Sequence, residues 1–205
     1  MNFEDLAWLF TCNNRSRNII RMNFDEAALL WTAVKRSAGP ILEIGRARGG
    51  STLLLCAAAP DRQVISIDIK NRRHPRIIRR LRNYQNIGQL ELLTQDSAKG
   101  LPGKLFGMIL FDGNHSYEGI KRDTELYWPA LQSFYGRKPL AVYHDAVPNR
   151  GLAYEQRLNY HPGIRQVCKQ LVHNQMAKRI QRAGSTILLE KLQELELYNT
   201  FIEEK

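Results

Sequence analysis

Short apolar runs and longer amphipathic stretches alternate along the chain. The apolar runs predict strands at residues 41–44, 63–67, 90–93, 108–111 and 140–143. Helical spacing predicts one helix between Asn23 and Gly39-Pro40, and further helices at residues 51–59, 75–84, 117–133 and 163–172. Strands separated by about 10 to 15 helical residues favour a parallel sheet with helices on both faces.

Two further strand candidates, 177–182 and 186–190, are separated only by Ala183-Gly184-Ser185. A short connection that contains glycine is typical of an antiparallel hairpin. We therefore predict an α/β fold with a Rossmann-like, doubly wound, mostly parallel seven-stranded sheet that ends in an antiparallel hairpin, with helices on both faces.

The length and the absence of repeats or a Gly/Ser-rich linker predict a single domain over residues 1–205. We expect an N-terminal helical cap at 1–39, a core at 40–190 and a C-terminal helical tail at 191–205. Asn23 and Glu26 match a capping box at the start of the first long helix. The tail carries Leu192, Leu195, Tyr198 and Ile202 near helical spacing, so we expect it to pack on the domain or on a second subunit.

The apolar content of 43% is enough for a core, but no apolar run is long. The longest, Leu53–Ala59, is far short of the roughly 20 residues that a membrane-spanning helix needs. Glu4 and Asp5 stand where a secretory signal would carry positive charge. We therefore expect a cytoplasmic protein with no membrane partner. Cys12, Cys56 and Cys168 share no metal-binding or disulfide spacing, so we interpret them as buried or incidental thiols.

Basic residues exceed acidic ones, with a net charge of +10 and 20 arginines among the 30 cations. Guanidinium groups pair with phosphate and carboxylate, so this balance favours anionic partners. Much of the charge lies in the basic stretch 70–82, which contains Lys70, Arg72, Arg73, Arg76, Arg79, Arg80 and Arg82. The alternative interpretation of this stretch is a solvated helix face.

A glycine-rich loop follows the first predicted strand, with the sequence E-I-G-R-A-R-G-G-S-T at 43–52. Gly45, Gly49 and Gly50 allow a sharp turn and a close ligand approach, and the next helix offers unpaired N–H groups. This pattern predicts a nucleotide-like ligand, or else a structural tight turn. The spacing departs from G-x-G-x-x-G, and no G-x-x-x-x-G-K-[ST] phosphate loop is present.

Polar residues also follow the next two predicted strands. Asp68 comes about 20 residues after the glycine loop, where an acidic side chain hydrogen-bonds ribose hydroxyls in nucleotide-binding βαβ units. Asp96 and Ser97 suit the edge of an adenine ring, and their alternative interpretation is a helix cap.

The strongest pattern is L-F-D-G-N-H-S-Y-E at 110–118, followed by V-Y-H-D at 142–145. Both segments end an apolar strand with an aspartate and a histidine, which serve in metal ligation and proton transfer. Because parallel strands bring their carboxyl ends to one sheet edge, we expect Asp112, His115, His144 and Asp145 to form one functional site.

These segments resemble the class I S-adenosylmethionine-dependent methyltransferases, in the branch of the macrocin O-methyltransferases and cephalosporin-hydroxylase-like proteins. The resemblance covers about residues 40–190 and rests on E-I-G-x-x-x-G-G-S-T at 43–52, D-G-N-H-S-Y-E-G at 112–119, Lys121 to Asp123 and H-D-A at 144–146. The first motif is widely shared, and the D-G-x-H-x-Y-E-G stretch with a later H-D is more specific.

The resemblance implies the cofactor S-adenosylmethionine and, with it, Mg²⁺ or another divalent cation. The implied cofactor-binding residues are Glu43, Gly45, Gly49, Ser51, Thr52, Asp68, Asp96, Ser97 and Asp112. Asp112, His144 and Asp145 match metal-ligand positions, and His115 matches a histidine proposed as general base. The implied activity is O-methylation of a hydroxyl on a small molecule or sugar, with Asp112 and His115 as catalytic residues.

Departures from the pattern concern the acceptor. We expect Arg46 and Arg48 to point away from the positive sulfonium and toward an anionic substrate. The short region before residue 40 offers little material for a lid, which favours a homo-oligomer. The segments 1–22 and 148–162 are candidates for the acceptor pocket, where Arg150, Tyr154, Arg157, Tyr160 and His161 either line the site or lie on the surface.

Other functions are compatible with this fold. The basic stretch favours a methyltransferase that acts on RNA or another polyanion, although no N-P-P-Y or D-P-P-Y motif is present. A non-catalytic protein of the same fold and an NAD-type oxidoreductase are the remaining alternatives. The glycine spacing disfavours the oxidoreductase.

Overall fold

The computed structural model describes residues 1–11, 17–72, 74–148 and 160–192. Its centre is one seven-stranded sheet with the order β3-β2-β1-β4-β5-β7-β6. The strands are β1 (Ile41–Ile44), β2 (Val64–Asp68), β3 (Leu90–Thr94), β4 (Met108–Phe111), β5 (Leu140–Tyr143), β6 (Ala177–Ala183) and β7 (Thr186–Lys191).

Strands β1 to β5 are parallel, and β7 joins β5 and β6 in antiparallel pairs. The predicted fold class is therefore confirmed, and every predicted strand limit lies within one residue of the observed one. The four residues of β1, β4 and β5 are all buried, as expected for strands covered on both faces. Because β7 extends to Lys191, the expected C-terminal tail cannot begin at that residue, and residues 193–205 lie outside the described part of the chain.

Five α-helices cover the two faces of the sheet in the described ranges. They are α1 (Phe24–Arg36), α2 (Gly50–Ala58), α3 (Pro75–Asn86), α4 (Tyr117–Tyr127) and α5 (Pro162–His173), and a 3-10 helix spans Glu4–Leu9. The predicted extension of α4 to residue 133 is wrong, because Pro129 lacks the N–H that would continue the helix. Beyond it, Leu131 forms an isolated bridge with Phe106.

Helix α1 begins as the sequence predicts. The side chain of Asn23 and that of Glu26 form the reciprocal capping box, in which the backbone N–H of Asn23 donates to Oε2 of Glu26 at 2.7 Å. Helix α3 begins with Pro75, and Nδ1 of His74 accepts the N–H of Arg76 at 3.3 Å. These caps satisfy backbone donors that have no partner inside a helix.

The core lies in two layers, one on each side of the sheet. The layer under α1 and α2 includes Leu30 and Leu55, and the opposite layer under α4 and α5 includes Phe111 and Tyr143, whose rings stack at 4.6 Å. The N-terminal residues Leu6, Leu9, Ile19 and Ile20 are buried in the first layer. Cys56 and Cys168 are buried free thiols, while Cys12 lies outside the described residues. No helix in the described ranges is long and apolar enough to cross a membrane.

Candidate active site

A cleft of about 820 Å³ lies at the carboxyl ends of the parallel strands. This edge is where open α/β sheets bind ligands. The structure brings eight of the predicted site residues to its wall: Gly45, Asp68, Asp96, Ser97, Asp112, His115, His144 and Asp145. They come from the ends of five strands, so the parallel topology assembles them from sequence positions a hundred residues apart.

Gly45 is required where the chain leaves β1. Its φ is +94°, and an added Cβ would lie 2.0 Å from the carbonyl oxygen of Asp112. Only glycine fits such a crossing, because a side chain would both strain the backbone and collide with the neighbouring strand end. The loop between β1 and α2 therefore lies directly against the end of β4.

Asp68 fixes the same loop from the other side. Its Oδ2 accepts the backbone N–H groups of Arg46 at 2.9 Å and Ala47 at 2.8 Å, and its Oδ1 accepts that of Lys70 at 2.7 Å. A carboxylate that binds three backbone amides holds the loop in one geometry. Asp68 is also part of the cleft wall, in keeping with its predicted place beside a ribose.

Glu43, Ser51 and Thr52 lie beneath the cleft. The Glu43 carboxylate is fully buried and accepts hydrogen bonds at 2.5 Å from each of the hydroxyls of Ser51, Thr52 and Ser66. Burial raises the pKa of this carboxyl, and the three hydroxyl donors oppose the rise. None of the three predicted residues, nor Gly49, lines the 820 Å³ cleft, so their visible role is to join β1 to α2 and β2.

Arg46 does not point toward a substrate, which corrects one sequence-based expectation. Its side chain is 1% exposed, and Nη1 donates to the Ser66 carbonyl at 2.7 Å and the Leu93 carbonyl at 3.4 Å. The guanidinium group thus hydrogen-bonds to backbone carbonyls under the edge of the sheet, beside the buried Glu43 carboxylate. Arg48 is also absent from the wall of the large cleft and donates to the carbonyl of Asn18 at 3.4 Å.

Asp96 and Ser97 belong to a helix cap, the second of the two interpretations that the sequence left open. Asp96 caps the 3-10 turn Ser97–Lys99 by accepting the N–H of Ala98 at 2.9 Å, and it lies 3.3 Å from Nη2 of Arg122. The Ser97 hydroxyl donates to the buried Asp123 at 2.8 Å. Both residues also line the cleft, so the cap does not exclude a ligand-binding role.

His144 lies between three carboxylates. Its Nδ1 is 2.9 Å from Oδ1 of Asp112 and 3.6 Å from Oδ2 of Asp145, and its Nε2 is 3.5 Å from Oε2 of Glu26. Burial favours a lower pKa for this imidazole, but Asp112 and Asp145 overcome it and hold the pKa well above the usual value for histidine. The ring therefore carries a proton at neutral pH and neutralises the acidic cluster.

The pKa of Asp112 is shifted in the complementary direction. Burial acts to raise it, but the imidazoles of His144 and His115 hold it well below its usual range. Asp112 is therefore an anion at neutral pH, as a ligand for a cation must be.

Two groups of side chains in the described ranges have a donor geometry that suits a metal ion. Asp112, His144 and Asp145 form one, and Asp145 with His115 and His161 forms the other; in each group the donor atoms lie within 4.8 Å of one another. The carboxylates of Asp112 and Asp145 are the hard ligands that Mg²⁺ prefers, so the residues fit the expected cation. His144 would join them only after losing its proton.

His115 lies at the mouth of this cluster, with 27% of its side chain exposed. Its Nε2 is 3.4 Å from Oδ1 of Asp112, but the atom is enclosed and forms no hydrogen bond within the described residues. Its ring packs on that of His161, with 4.3 Å between the ring centroids. The His115 ring is thus partly exposed on the cleft wall, while its Nε2 is turned inward beside Asp112.

Several residues of the cleft wall were not predicted as site residues. Arg21, Lys70 and Arg122 line the wall, and Glu26, predicted only as a helix cap, contacts His144. His161 was one of five candidates for the acceptor pocket, and the structure places it in the cleft wall; Tyr160 does not line the cleft, and Arg150, Tyr154 and Arg157 lie outside the described residues. The short polar segments that hold these residues carry no periodicity, so only the folded chain shows which of them face the cleft.

Comparisons with known proteins agree with this geometry. A family model described as a methyltransferase domain matches residues 42–134, from β1 to beyond α4. No curated protein matches the chain.

Solved structures share the fold over most of the chain. A Staphylococcus aureus protein provisionally described as a caffeoyl-CoA O-methyltransferase superposes with a TM-score of 0.64 and 15% identity over 94% of this chain and 93% of its own. The Podospora anserina methyltransferase PaMTH1 with bound S-adenosylhomocysteine superposes with a TM-score of 0.61 and 15% sequence identity, over 93% of this chain and 87% of its own. The O-methyltransferase TomG of Streptomyces achromogenes with bound S-adenosylmethionine superposes with a TM-score of 0.58 and 19% sequence identity, over 93% of this chain and 89% of its own.

At these identities the superpositions establish the fold, and the family match places a methyltransferase domain on the part of the chain that holds the glycine loop, Asp68, Asp96 and Asp112. Together, the match and the strand order support a class I S-adenosylmethionine-dependent methyltransferase, and the described chain has the fold of that class.

Proposed function

We propose that this protein transfers the methyl group of S-adenosylmethionine to a hydroxyl of a small-molecule or sugar acceptor, with the help of a divalent cation. One observation carries the proposal: Asp112, His144 and Asp145 converge within 4.8 Å at the strand ends, beside His115 and the glycine loop. An aspartate–histidine cluster next to a nucleotide-like cleft has the groups that deprotonation of a hydroxyl requires.

The cofactor would occupy the strand-end cleft. Asp68 lies where a ribose would be held, and Asp96 and Ser97 lie on the wall after β3, where an adenine would lie. Gly45 lies on the cleft wall at the end of β1, where the methionine portion would lie. The negative charge of Asp112 favours a positive sulfonium nearby. The solved structures that contain S-adenosylmethionine or its product support this choice of cofactor.

Asp112 and Asp145 would hold the divalent cation. A bound cation of this kind lowers the pKa of a coordinated hydroxyl and fixes its oxygen in place. Glu26 and Ser185 support the ligands from behind, because the Ser185 hydroxyl lies 2.6 Å from Oε1 of Glu26 and 3.1 Å from Oδ1 of Asp145. These hydrogen bonds keep the carboxylates oriented toward the cleft.

His115 is the proposed general base. His115 lines the cleft, and its Nε2 lies 3.4 Å from Oδ1 of Asp112 without forming a hydrogen bond within the described ranges. The Asp112 carboxylate would stabilise the imidazolium that forms when His115 accepts a proton. The D-G-N-H-S-Y-E-G segment that contains His115 is also the basis for placing the chain near the macrocin O-methyltransferase branch.

An acceptor with a negative charge fits this cleft best. The exposed Arg21 faces the cleft and makes no hydrogen bond or ion pair within the described part of the chain, and the Lys70 ammonium is another cation on the wall. Unpaired cations around a binding site attract anions and raise the local concentration of an anionic ligand. We extend the proposal to a cytoplasmic location and to a homo-oligomer that completes the acceptor pocket.

Calorimetric titration with S-adenosylhomocysteine tests the cofactor assignment, with NAD⁺ as the competing ligand. Saturable micromolar binding of S-adenosylhomocysteine alone supports the proposal, and binding of NAD⁺ alone contradicts it. His115→Ala should then reduce the methyl-transfer rate at least about 100-fold and leave the affinity for S-adenosylhomocysteine unchanged. His173→Ala, at the far end of α5, is the matched control. Full activity in excess EDTA would remove the cation from the proposal.

One feature favours a second candidate, a methyltransferase that acts on RNA or another polyanion. Arg76, Arg79 and Arg82 are exposed on α3 and have no acidic partner within the described ranges, and α3 begins beside the cleft. Arg73 lies outside the described residues, and Arg80 covers the Trp8 ring at 4.4 Å. Binding of a single-stranded RNA that weakens steeply with salt and is lost in Arg76→Glu/Arg79→Glu would favour it. The exposed Arg165→Glu on α5 is the control.

A further inference from the structure

A second group of metal-binding side chains overlaps the proposed active site. His115 follows β4, Asp145 follows β5, and His161 precedes α5, so three separate strand or helix ends bring them together. One donor atom from each lies within 4.8 Å of the other two, and all three residues line the cleft.

We propose that His115, Asp145 and His161 bind a divalent transition-metal ion such as Zn²⁺ or Co²⁺, and that this ion occupies His115 and so stops proton transfer. The metal site stands independently of methyl transfer, whereas its inhibitory effect rests on the function proposed above. The site shares Asp145 with the Asp112, His144 and Asp145 cluster, so the two sites compete for one carboxylate.

The types of donor select the ion. Two imidazoles and one carboxylate form the ligand set of many catalytic zinc sites, and imidazole favours zinc, cobalt and nickel over magnesium. The first cluster contains two carboxylates and a histidine whose ring nitrogens lie 2.9 Å and 3.5 Å from carboxylate oxygens. That cluster suits a hard cation, so the softer ion belongs with the two imidazoles of His115 and His161.

The geometry already approaches that of a bound ion. Ligand atoms around a tetrahedral zinc ion at about 2.1 Å lie roughly 3.4 Å apart, so the donors need to move by only about 1 Å. The rings of His115 and His161 are in contact at a centroid distance of 4.3 Å. The backbone N–H of His161 donates to the carbonyl of Asp145 at 2.8 Å, which fixes the separation of these two ligands.

Two features are typical of a binding site. Nε2 of His115 is enclosed without a hydrogen bond in the described part of the chain, with Oδ1 of Asp112 3.4 Å away, and such atoms in native proteins commonly face an ion or water. Asp145 has a left-handed backbone, with φ of +54°, which is unfavourable for a residue with a side chain. Backbone strain of this kind is concentrated at binding and catalytic sites. Asp145 lines the cleft wall, as do both histidines.

Titration of the full chain with Co²⁺, followed by its visible absorption, tests the site without any need for turnover. We expect one equivalent to bind, with an affinity at least about 10-fold lower in His161→Ala and in His161→Gln. His173→Ala is the matched control, because His161 and His173 flank the same helix. The His161 side chain forms no capping hydrogen bond, and thermal unfolding of each variant verifies that the fold is kept.

The metal site would be overturned if the protein did not bind Co²⁺, or if the wild type and both His161 variants bound Co²⁺ with equal affinity. It would also be overturned if Asp112→Asn lost Co²⁺ binding while His161→Ala kept it. Co²⁺ binding that is kept in Asp112→Asn and lost in His161→Ala supports the site. Calorimetry with S-adenosylhomocysteine separates the proposals, because Co²⁺ binding without cofactor binding contradicts only the methyl-transfer function.

The inhibitory effect is tested by assaying methyl transfer in the presence of Mg²⁺, with and without one equivalent of Zn²⁺. We expect Zn²⁺ to slow methyl transfer by the wild type and not that by His161→Ala. Equal inhibition of both proteins would overturn the inhibitory effect.

Discussion

Glu26 and Ser185 are 159 positions apart in the chain, yet Oε1 of Glu26 accepts both the backbone N–H of Ser185 at 2.7 Å and its hydroxyl at 2.6 Å. The other oxygen of Glu26 caps α1 and lies 3.5 Å from His144. A single fully buried carboxylate therefore joins the first long helix, the β6–β7 turn and the cluster of Asp112, His144 and Asp145.

Glu26→Gln isolates this tertiary role, because glutamine at the same position can still complete a capping box. We expect a loss of about 2 kcal/mol in the free energy of unfolding, since charged hydrogen bonds to Ser185 become neutral or are lost. Urea denaturation measures it. Asp25→Asn, exposed in the same first turn, should cost less than about 1 kcal/mol. Equal losses in the two variants would show that only the helix terminus matters.

The stability of the protein should fall as the pH rises above about 6.5. His144 has a raised pKa in the folded state, so its contribution is complete below the unfolded value and is lost as the pH rises through the folded one. Urea denaturation between pH 6 and 9 should show a slope of at most about 1.4 kcal/mol per pH unit. His144→Gln should flatten this slope and His173→Gln should not; the same slope in both variants would contradict the prediction.

The pKa of Asp112 is lowered in the folded state, so Asp112 affects stability at the other end of the pH range. Its contribution to the free energy of unfolding disappears as the pH falls below about 4.

Gly45→Ala should unfold the β1–α2 loop or prevent cofactor binding. The added Cβ would lie 2.0 Å from the Asp112 carbonyl, and we expect a loss above about 3 kcal/mol in thermal or urea unfolding. Gly88→Ala is the control that separates backbone strain from a steric clash of the added methyl group. Gly88 also has a positive φ, of +74°, but a Cβ at this position would meet no atom within 4 Å. Its cost should be about 1 kcal/mol. A similar cost at both positions would mean that the loop moves to accommodate the methyl group.

Asp68→Asn should weaken S-adenosylhomocysteine binding by about 10-fold or more in calorimetry. The amide presents one acceptor oxygen in place of the two carboxylate oxygens that accept from Arg46, Ala47 and Lys70, so the loop loses part of its support. The control is Asp61→Asn, an exposed aspartate in the turn before β2. Unchanged affinity in Asp68→Asn would exclude this carboxylate from cofactor binding and leave it a purely structural role.

The sequence alone predicts the strands because most of them are short apolar runs bounded by glycine, proline or polar residues, and β1, β4 and β5 are buried on both faces. The glycine loop after β1 is predictable for a related reason, since a positive φ at Gly45 restricts the residue type. The end of α4 was missed because its amphipathic pattern continues past Tyr127, while the break depends on one missing N–H at Pro129.

The sequence could not tell which polar residues face the cleft. Glu43, Ser51 and Thr52 belong to the motif that resembles a cofactor loop, yet they bond to one another beneath it. Arg46 was expected near an anionic substrate, and it instead donates to carbonyls under the sheet. In each case a shift of a few ångströms separates a wall residue from a buried one, and local sequence carries no information at that scale.

The local pattern of the chain by itself determined the order of strands and helices, the glycine turn and the placement of Asp112 and Asp145 at strand ends, because these depend on residues that are near one another in sequence. Only the tertiary structure decided that Glu26 contacts Ser185 and His144, that His161 joins His115 and Asp145, and that Arg21 faces the cleft. Those contacts unite distant segments whose packing is a property of the whole fold, and no periodicity or motif records them.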